Sequence, residues 1–279
     1  MRQPRRNDGL LRKLPGRLVL LGAGKMGTAL LEGWLARGLD PHKLVVLEPR
    51  PAAAVKALVR RGAALNPERS AGAASAVVIA VKPQNAPEAL PALAPFVHRS
   101  TLALSIMAGR KIEFVARALP GLAVVRAMPN TPAAVGCGIT VACPDARVSA
   151  RQRKLATELL AAVGKVEWIA DEGLMDAVTA VSGSGPAYVF LLAEAMTQAG
   201  IAAGLPAALA ARLARETVVG AGELLRRSDL DASVLRANVT SPGGTTAAAL
   251  EILTGPGGFP ELLTRAVAAA TRRGRELAG

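Results

Sequence analysis

Hydrophobic positions between residues 17 and 170 fall in short unbroken runs separated by segments of helical spacing. The runs Arg17–Leu21, Leu44–Leu47, Val77–Val81, Leu102–Ile106, Ala123–Ala127, Ile139–Ala142 and Lys165–Ile169 predict strands. Between the first two, Met26, Ala29, Leu30, Gly33 and Trp34 recur as on one helix face. Alternation of this kind predicts an α/β fold, with a doubly wound parallel sheet joined by right-handed crossovers. From Asp171 onward strand-like runs become rare. Helices are expected over 171–181, 186–203, 206–227, 230–238, 245–254 and 259–277. The expected organisation is therefore a loose basic arm at 1–16, a sheet domain at 17–170 and an all-helical domain at 171–279. The helical segments are rich in Ala, Leu and Val on several faces, so a second subunit is the expected cover. No self-similarity at a period of roughly 20–50 residues is present.

Composition narrows the picture. Of 279 residues, 51% are hydrophobic and 20% charged, a globular balance that excludes a disordered or fibrous chain. The two cysteines, Cys137 and Cys143, and the two histidines, His42 and His98, lack metal-ligand spacing, so no metal is expected. The formal charge of +13 raises nucleic acid as a partner. However, the basic residues are spread along the chain, and the seven aromatics do not interleave with them as a stacking platform needs. The expectation is no nucleic acid, a solvated surface and an attraction for anionic ligands. No long uncharged apolar run or secretory pattern stands out, so neither membrane insertion nor export is expected; a cytoplasmic protein is.

The first strand runs into Gly22-Ala23-Gly24-Lys25-Met26-Gly27 and then a helix, which is G-x-G-x-x-G in the context that motif requires. Gly22 permits the tight turn, Gly24 lets a pyrophosphate approach the backbone, and Gly27 lets helix and strand pack closely. The helix start adds free amides and a positive dipole end. The alternative is a plain glycine-rich βα turn. After the second strand come Glu48 and Arg50. An acid there suits the ribose hydroxyls of NAD and an Arg suits the 2′-phosphate of NADP, so the residues leave NAD or NADP open. Ala80-Val81-Lys82-Pro83 closes the third predicted strand. Lys82 belongs either to a ligand crevice or to a solvated loop.

Three further segments interrupt apolar sequence: Ala127–Pro132, Ser182–Pro186 and Thr240–Thr246. In the last, Gly243 and Gly244 free the backbone, while Ser241, Thr245 and Thr246 supply hydroxyls ahead of a helix start. That combination suits a small carboxylate. An ordinary N-cap with Thr as the capping residue is the alternative. The chain has no Tyr-x-x-x-Lys pair and no lysine after Lys165. A ketone reductase usually needs a proton donor for the developing alkoxide. A cationic imine does not, because hydride transfer neutralises it. The inventory favours C=N over C=O reduction.

With these segments in hand, the chain resembles the pyrroline-5-carboxylate reductase family. The resemblance runs from about Leu18 to Leu277, through Gly22–Leu30, Ala80–Pro83, Arg126–Pro132, Val181–Phe190 and above all Asn238–Leu250. It implies a Rossmann-type doubly wound sheet followed by an all-helical C-terminal dimerisation domain. It also implies NAD(P)H-dependent reduction of 1-pyrroline-5-carboxylate to L-proline, in a homodimer or a larger ring of dimers. Under the resemblance, the loop of the partner subunit holds the substrate through Val239, Ser241, Gly243, Gly244, Thr245 and Thr246. Ser241 and Thr246 are the catalytic candidates, Thr246 at the ring nitrogen. Cofactor contacts fall to Gly22, Ala23, Gly24, Lys25, Met26, Gly27, Glu48, Arg50, Asn66, Ala80, Val81, Lys82, Pro83, Met128, Pro129 and Asn130. NADPH is the family expectation. Glu48 stands where well-known members carry a small polar residue, and Met107 where Ala is common. A β-hydroxyacid dehydrogenase would need a lysine in the helical half, which is absent. Another cyclic-imine or amino-acid reductase, or a silent nucleotide-binding regulator, is separated from this reading by assay with pyrroline-5-carboxylate against ketoacids.

Overall fold

The computed structural model describes residues 11–68 and 72–278. Its strands are β1 (Arg17–Leu21), β2 (Leu44–Leu47), β3 (Ala64–Leu65), β4 (Ala74–Ile79), β5 (Leu102–Ser105), β6 (Ala123–Met128), β7 (Gly138–Pro144) and β8 (Gly164–Trp168). Its helices are α1 (Lys25–Ala36), α2 (Ala53–Val59), α3 (Ala86–Ala89), α4 (Ile112–Ala118), α5 (Ala150–Ala161), α6 (Met175–Val178), α7 (Gly185–Ala202), α8 (Ala207–Arg227), α9 (Ala232–Asn238), α10 (Thr245–Thr254) and α11 (Phe259–Ala278).

The strands form one sheet in the order β3-β2-β1-β4-β5-β6-β7-β8. The chain winds outward from β1 through β2 to β3, then returns to build the other half from β4, so the winding direction reverses between β1 and β4. Alternate residues explain why the strands read as continuous apolar runs: both faces are covered. Leu18, Leu20, Val46, Val78 and Leu104 pack with Leu30, Leu31 and Trp34 of α1 and Leu155, Leu159 and Leu160 of α5. Val19, Leu21, Val45, Val77 and Ile79 pack on the other side with Leu90, Leu93, Phe96 and Val115. Trp34 is fully buried, and its indole N–H donates to the Leu159 carbonyl at 2.8 Å. Helix α5 starts with a capping box: the Ser149 hydroxyl accepts from the Gln152 amide, and the Gln152 side chain accepts from the Ser149 amide.

Several expectations need correction. The sheet is not wholly parallel, because β7 runs antiparallel to β6. The connection 129–137 holds only a short 3₁₀ turn, Thr131–Val135, and is too brief for a parallel crossover. The third predicted strand begins earlier and ends earlier than Val77–Val81, which puts Ala80 and Val81 in the loop after β4. Residues 11–16 are not a loose arm: Leu11 and Leu14 are fully buried in the core of the first face, and the Gly16 amide donates to Ser75 Oγ at 2.8 Å. Residues 1–10 of that expected arm lie outside the described residues. In place of one helix over 171–181 there is a 3₁₀ turn (Glu172–Leu174), then α6, then a π turn over Thr179–Gly183.

Contacts divide the chain into two compact units, one of residues 1–183 with 271–279 and the other of residues 184–270. This division lies later than the boundary expected near 170, which marks only the end of the sheet after Trp168, and it returns the end of the expected helical domain to the first unit. In the second unit α7 packs on α8, with Gly200 set so close to Ala210 that an added Cβ would lie 3.2 Å from the Ala210 methyl. Among the described residues of this unit, only Ala210 and Ala214 are buried hydrophobics. Phe190, Leu191, Val219, Leu224 and Ile252 stand out in the open, Phe190 at 68% exposure. No helix among the described residues is long and apolar enough to cross a membrane.

Candidate active site

The site begins with strand direction. β1, β2, β3, β4 and β5 run parallel, so their carboxyl ends share one edge. On that edge the sheet delivers Gly22–Gly27 after β1, Glu48–Arg50 after β2, Asn66 after β3, Ala80–Pro83 after β4 and Ile106–Gly109 after β5. The winding reverses between β1 and β4, and the carboxyl-end edge at such a reversal is the place where open α/β sheets bind ligands.

Each glycine of the turn meets a different constraint. Gly22 has φ +89°, and its amide donates to the Leu47 carbonyl at 2.9 Å. A Cβ on Gly22 would lie 2.9 Å from the Ala80 backbone. A Cβ on Gly27 would lie 2.4 Å from the Gly22 carbonyl oxygen, so helix and strand meet there with no room for a side chain. A Cβ on Gly24 would meet nothing within 4 Å. Gly24 is also the N-cap of α1 and gives the helix no side-chain cap. An exposed, uncapped helix start beside open space fits a pyrophosphate. Lys25 is exposed, Met26 half-buried and Ala23 buried.

The end of β2 is tied to this turn. Glu48 Oε2 accepts from the Ala23 amide at 2.9 Å, and Oε1 accepts from the Arg50 amide at 3.0 Å. Asn66, whose φ is +45°, clamps the Glu48 backbone: its Oδ1 accepts from the Glu48 amide at 2.8 Å and its Nδ2 donates to the Glu48 carbonyl at 2.9 Å. The Asn66 side chain, expected toward a ribose, thus spends both ends of its amide on the Glu48 backbone.

The loops beyond β4 and β6 are pinned by residues that the sequence patterns did not single out. The Arg110 guanidinium reaches the Pro83 carbonyl at 3.3 Å and lies over the Phe114 ring, 4.5 Å from its centroid. Lys82 is exposed. Asn130 Oδ1 accepts from the Ile139 amide at 3.0 Å, which holds Met128-Pro129-Asn130 against β7. Gly183, closing the π turn, faces Met128: an added Cβ would lie 2.7 Å from the Met128 methyl. Arg126, almost fully buried on β6, pairs with Glu172 at 2.9 Å, and the same Glu172 oxygen accepts from the Ile112 amide at 2.8 Å. Nearby, burial pushes the Cys143 thiol pKa up, with Glu172 adding to the effect and Arg126 opposing it. Arg110 and Glu172 carry no periodic or motif signal; only long-range contacts reveal them.

The second unit holds the loop expected to bind substrate. Helix α9 ends at Asn238, and the Thr240 hydroxyl donates back to the Arg236 carbonyl at 2.6 Å. Gly243 has φ +69°, and the Gly244 amide donates to the Ser241 carbonyl at 3.0 Å, closing a turn. Helix α10 then starts with Gly244 as N-cap and no side-chain cap. The alternative of an ordinary Thr cap is therefore not what the chain builds. The side chains of Ser241, Thr245 and Thr246 make no hydrogen bond among the described residues, and Val239 beside them is 66% exposed. The cofactor candidates are thus gathered in the first unit and the substrate candidates in the second. No group of three or more potential metal ligands occurs among the described residues.

Comparison with known proteins follows the same division. A family model described as pyrroline-5-carboxylate reductase dimerisation matches residues 172–277. One described as NADP oxidoreductase coenzyme F420-dependent matches residues 17–109. The pyrroline-5-carboxylate reductase of Synechocystis is 39% identical over 263 residues, covering 93% of this chain and 97% of that protein. Among solved structures, a pyrroline-5-carboxylate reductase from Coxiella burnetii aligns with a TM-score of 0.86 at 32% identity, covering 95% of this chain and 99% of that one. The Plasmodium falciparum pyrroline carboxylate reductase, solved with NADP bound, aligns with a TM-score of 0.77 at 30% identity, covering 95% and 99%.

Proposed function

The chain belongs to the pyrroline-5-carboxylate reductase family, an NAD(P)-dependent homo-oligomeric reductase that converts 1-pyrroline-5-carboxylate to L-proline, and we propose that the Ser241–Thr246 loop and the Gly22–Gly27 turn divide the work of that reaction. The observation that carries the reading is the uncapped start of α10, with three hydroxyls beside it that find no partner among the described residues. Amides of Gly244, Thr245 and Thr246, with the Ser241 hydroxyl, accommodate the substrate carboxylate at the positive end of the helix. Thr246 Oγ1 accepts from the protonated ring nitrogen and orients the C=N plane.

At the other half of the site, the Gly22–Gly27 turn and the start of α1 hold the pyrophosphate. Glu48 and Arg50 face the adenosine ribose. Lys82, Pro83, Met128, Pro129 and Asn130 wall the nicotinamide side. When bound, reduced nicotinamide supplies the hydride. The imine arrives cationic, so no residue has to donate a proton to a developing anion, in keeping with the lack of a His or Lys in the Ser241–Thr246 loop. Holding the ring in register is then the main contribution of the chain, an orientation effect. The two halves meet when the loop of one subunit closes on the sheet edge of its partner. The bare apolar faces of the second unit support such an interlocked pair, and a ring of such pairs in the cytoplasm completes the reading.

The test is steady-state oxidation of NADH and NADPH with pyrroline-5-carboxylate. Ser241→Ala removes a hydrogen bond to a charged group, worth roughly 1.5–3 kcal/mol, and raises KM about ten- to a hundredfold. Thr246→Ala lowers kcat. Wild-type kinetics in both variants would overturn the loop assignment.

A further inference from the structure

We infer that Glu48 sets the cofactor preference of this chain, favouring NADH over NADPH. The inference rests on the proposed cofactor site and adds which nicotinamide it takes. An acid at the end of the second strand of a dinucleotide-binding unit bonds the 2′- and 3′-hydroxyls of the adenosine ribose, and a 2′-phosphate must lie at that same position. Glu48 is at the end of β2, next to the glycine turn.

Its carboxylate is also fixed. One oxygen accepts from the Ala23 amide on the turn and the other from the Arg50 amide in its own loop. The Glu48 backbone is held at both its amide and its carbonyl by Asn66. Swinging the carboxylate aside for a phosphate would therefore break two hydrogen bonds at once and leave the buried Ala23 amide without its acceptor. Arg50 is the cation that would favour the phosphate. Its side chain is exposed and makes no hydrogen bond or ion pair among the described residues, so nothing organises it toward the ribose. Between a carboxylate anchored from two sides and an unanchored guanidinium, the anchored charge decides. Like charges a few Å apart in a half-exposed site repel enough to separate the two affinities by about tenfold or more.

The experiment is calorimetric titration of the wild-type oligomer with NADH and with NADPH, free of substrate, repeated on Glu48→Gln, Glu48→Ser and Gly24→Ala. The expected wild-type result is NADH tighter by about tenfold or more. Glu48→Gln keeps an oxygen for the Ala23 amide and removes the charge, so the ratio falls toward one mainly through a gain in NADPH affinity. Glu48→Ser, lacking the reach to Ala23, does the same. Gly24→Ala weakens both nucleotides together. Wild-type affinity that is equal for the two or higher for NADPH would overturn the inference, as would a ratio unchanged in Glu48→Gln. In those cases nucleotide binding that is still lost in Gly24→Ala leaves the cofactor site standing. Failure of the wild type to bind either nucleotide would remove the site and the inference with it. Should one Glu48 variant fail to fold, the wild-type ratio and the other variant still decide.

Discussion

Placing one methyl group at two positions of the glycine turn separates packing from ligand binding. At Gly27, alanine puts its Cβ 2.4 Å from the Gly22 carbonyl oxygen, a backbone atom that cannot rotate out of the way. Overpacking of this kind costs about 1–3 kcal/mol, and the contact here belongs at the upper end. Against it stands the gain from alanine over glycine inside a helix, about 1 kcal/mol. The net loss is ~2 kcal/mol, and at roughly 2–4 °C per kcal/mol for a domain of this size the Tm falls by about 4–8 °C. At Gly24 the same methyl meets nothing within 4 Å, and the backbone (φ −69°, ψ −167°) is open to any residue. Alanine is a poorer N-cap than glycine, so stability should fall by about 1 kcal/mol at most, and Tm by under about 4 °C. The empty space at Gly24, however, is where the proposed site brings a pyrophosphate closest, so the nucleotide affinity of Gly24→Ala should fall by about tenfold or more. Differential scanning fluorimetry without nucleotide, paired with NADH titration, reads both quantities. A Gly24→Ala variant that loses stability but keeps its affinity, or a Gly27→Ala variant as stable as wild type, would refute the division of roles.

Two further outcomes are expected. Phe190→Glu with Leu191→Glu places charge on an apolar face that no residue of its own unit covers, and light scattering should show smaller particles and loss of activity at low protein concentration; an unchanged mass would clear that face of any part in assembly. Cys143 is buried with its thiol pKa raised, so fewer thiolates exist at a given pH and alkylation should be slow at pH 8 and quicken as pH rises or the chain unfolds, while exposed Cys137 reacts first. Mass spectrometry of the labelled peptides checks this, and equal early labelling at both would contradict it.

Where sequence and structure agree, the reason is local. β1 and β2 are buried on both faces, so their apolar runs begin and end with the strands themselves. The long helices α7, α8 and α10 follow their spacing and the punctuation of Pro186, Pro206 and Gly244. The glycine turn is legible because Gly22 and Gly27 meet steric demands that only glycine satisfies, and Gly24 completes their spacing. Other features depend on partners far along the chain. β3 is two residues long and has no periodicity to detect. Leu11 and Leu14 flank Arg12 and Lys13, so composition suggests a solvated arm, yet both leucines reach the core. The Glu48 tie to Ala23 spans 25 positions, and the Arg126–Glu172 pair spans 46. Neither has a sequence pattern, because a hydrogen bond closed by folding leaves no trace in local spacing.

The membership of residues 271–279 in the first unit bears on how the protein comes into being. A Cβ on Gly274 would lie 3.2 Å from the Asp176 carboxylate, and one on Gly109 would lie 3.5 Å from the Leu277 carbonyl oxygen. During synthesis the sheet can form early, but its last wall arrives only after the intervening helices have been made. The first unit is therefore complete only once α11 has emerged.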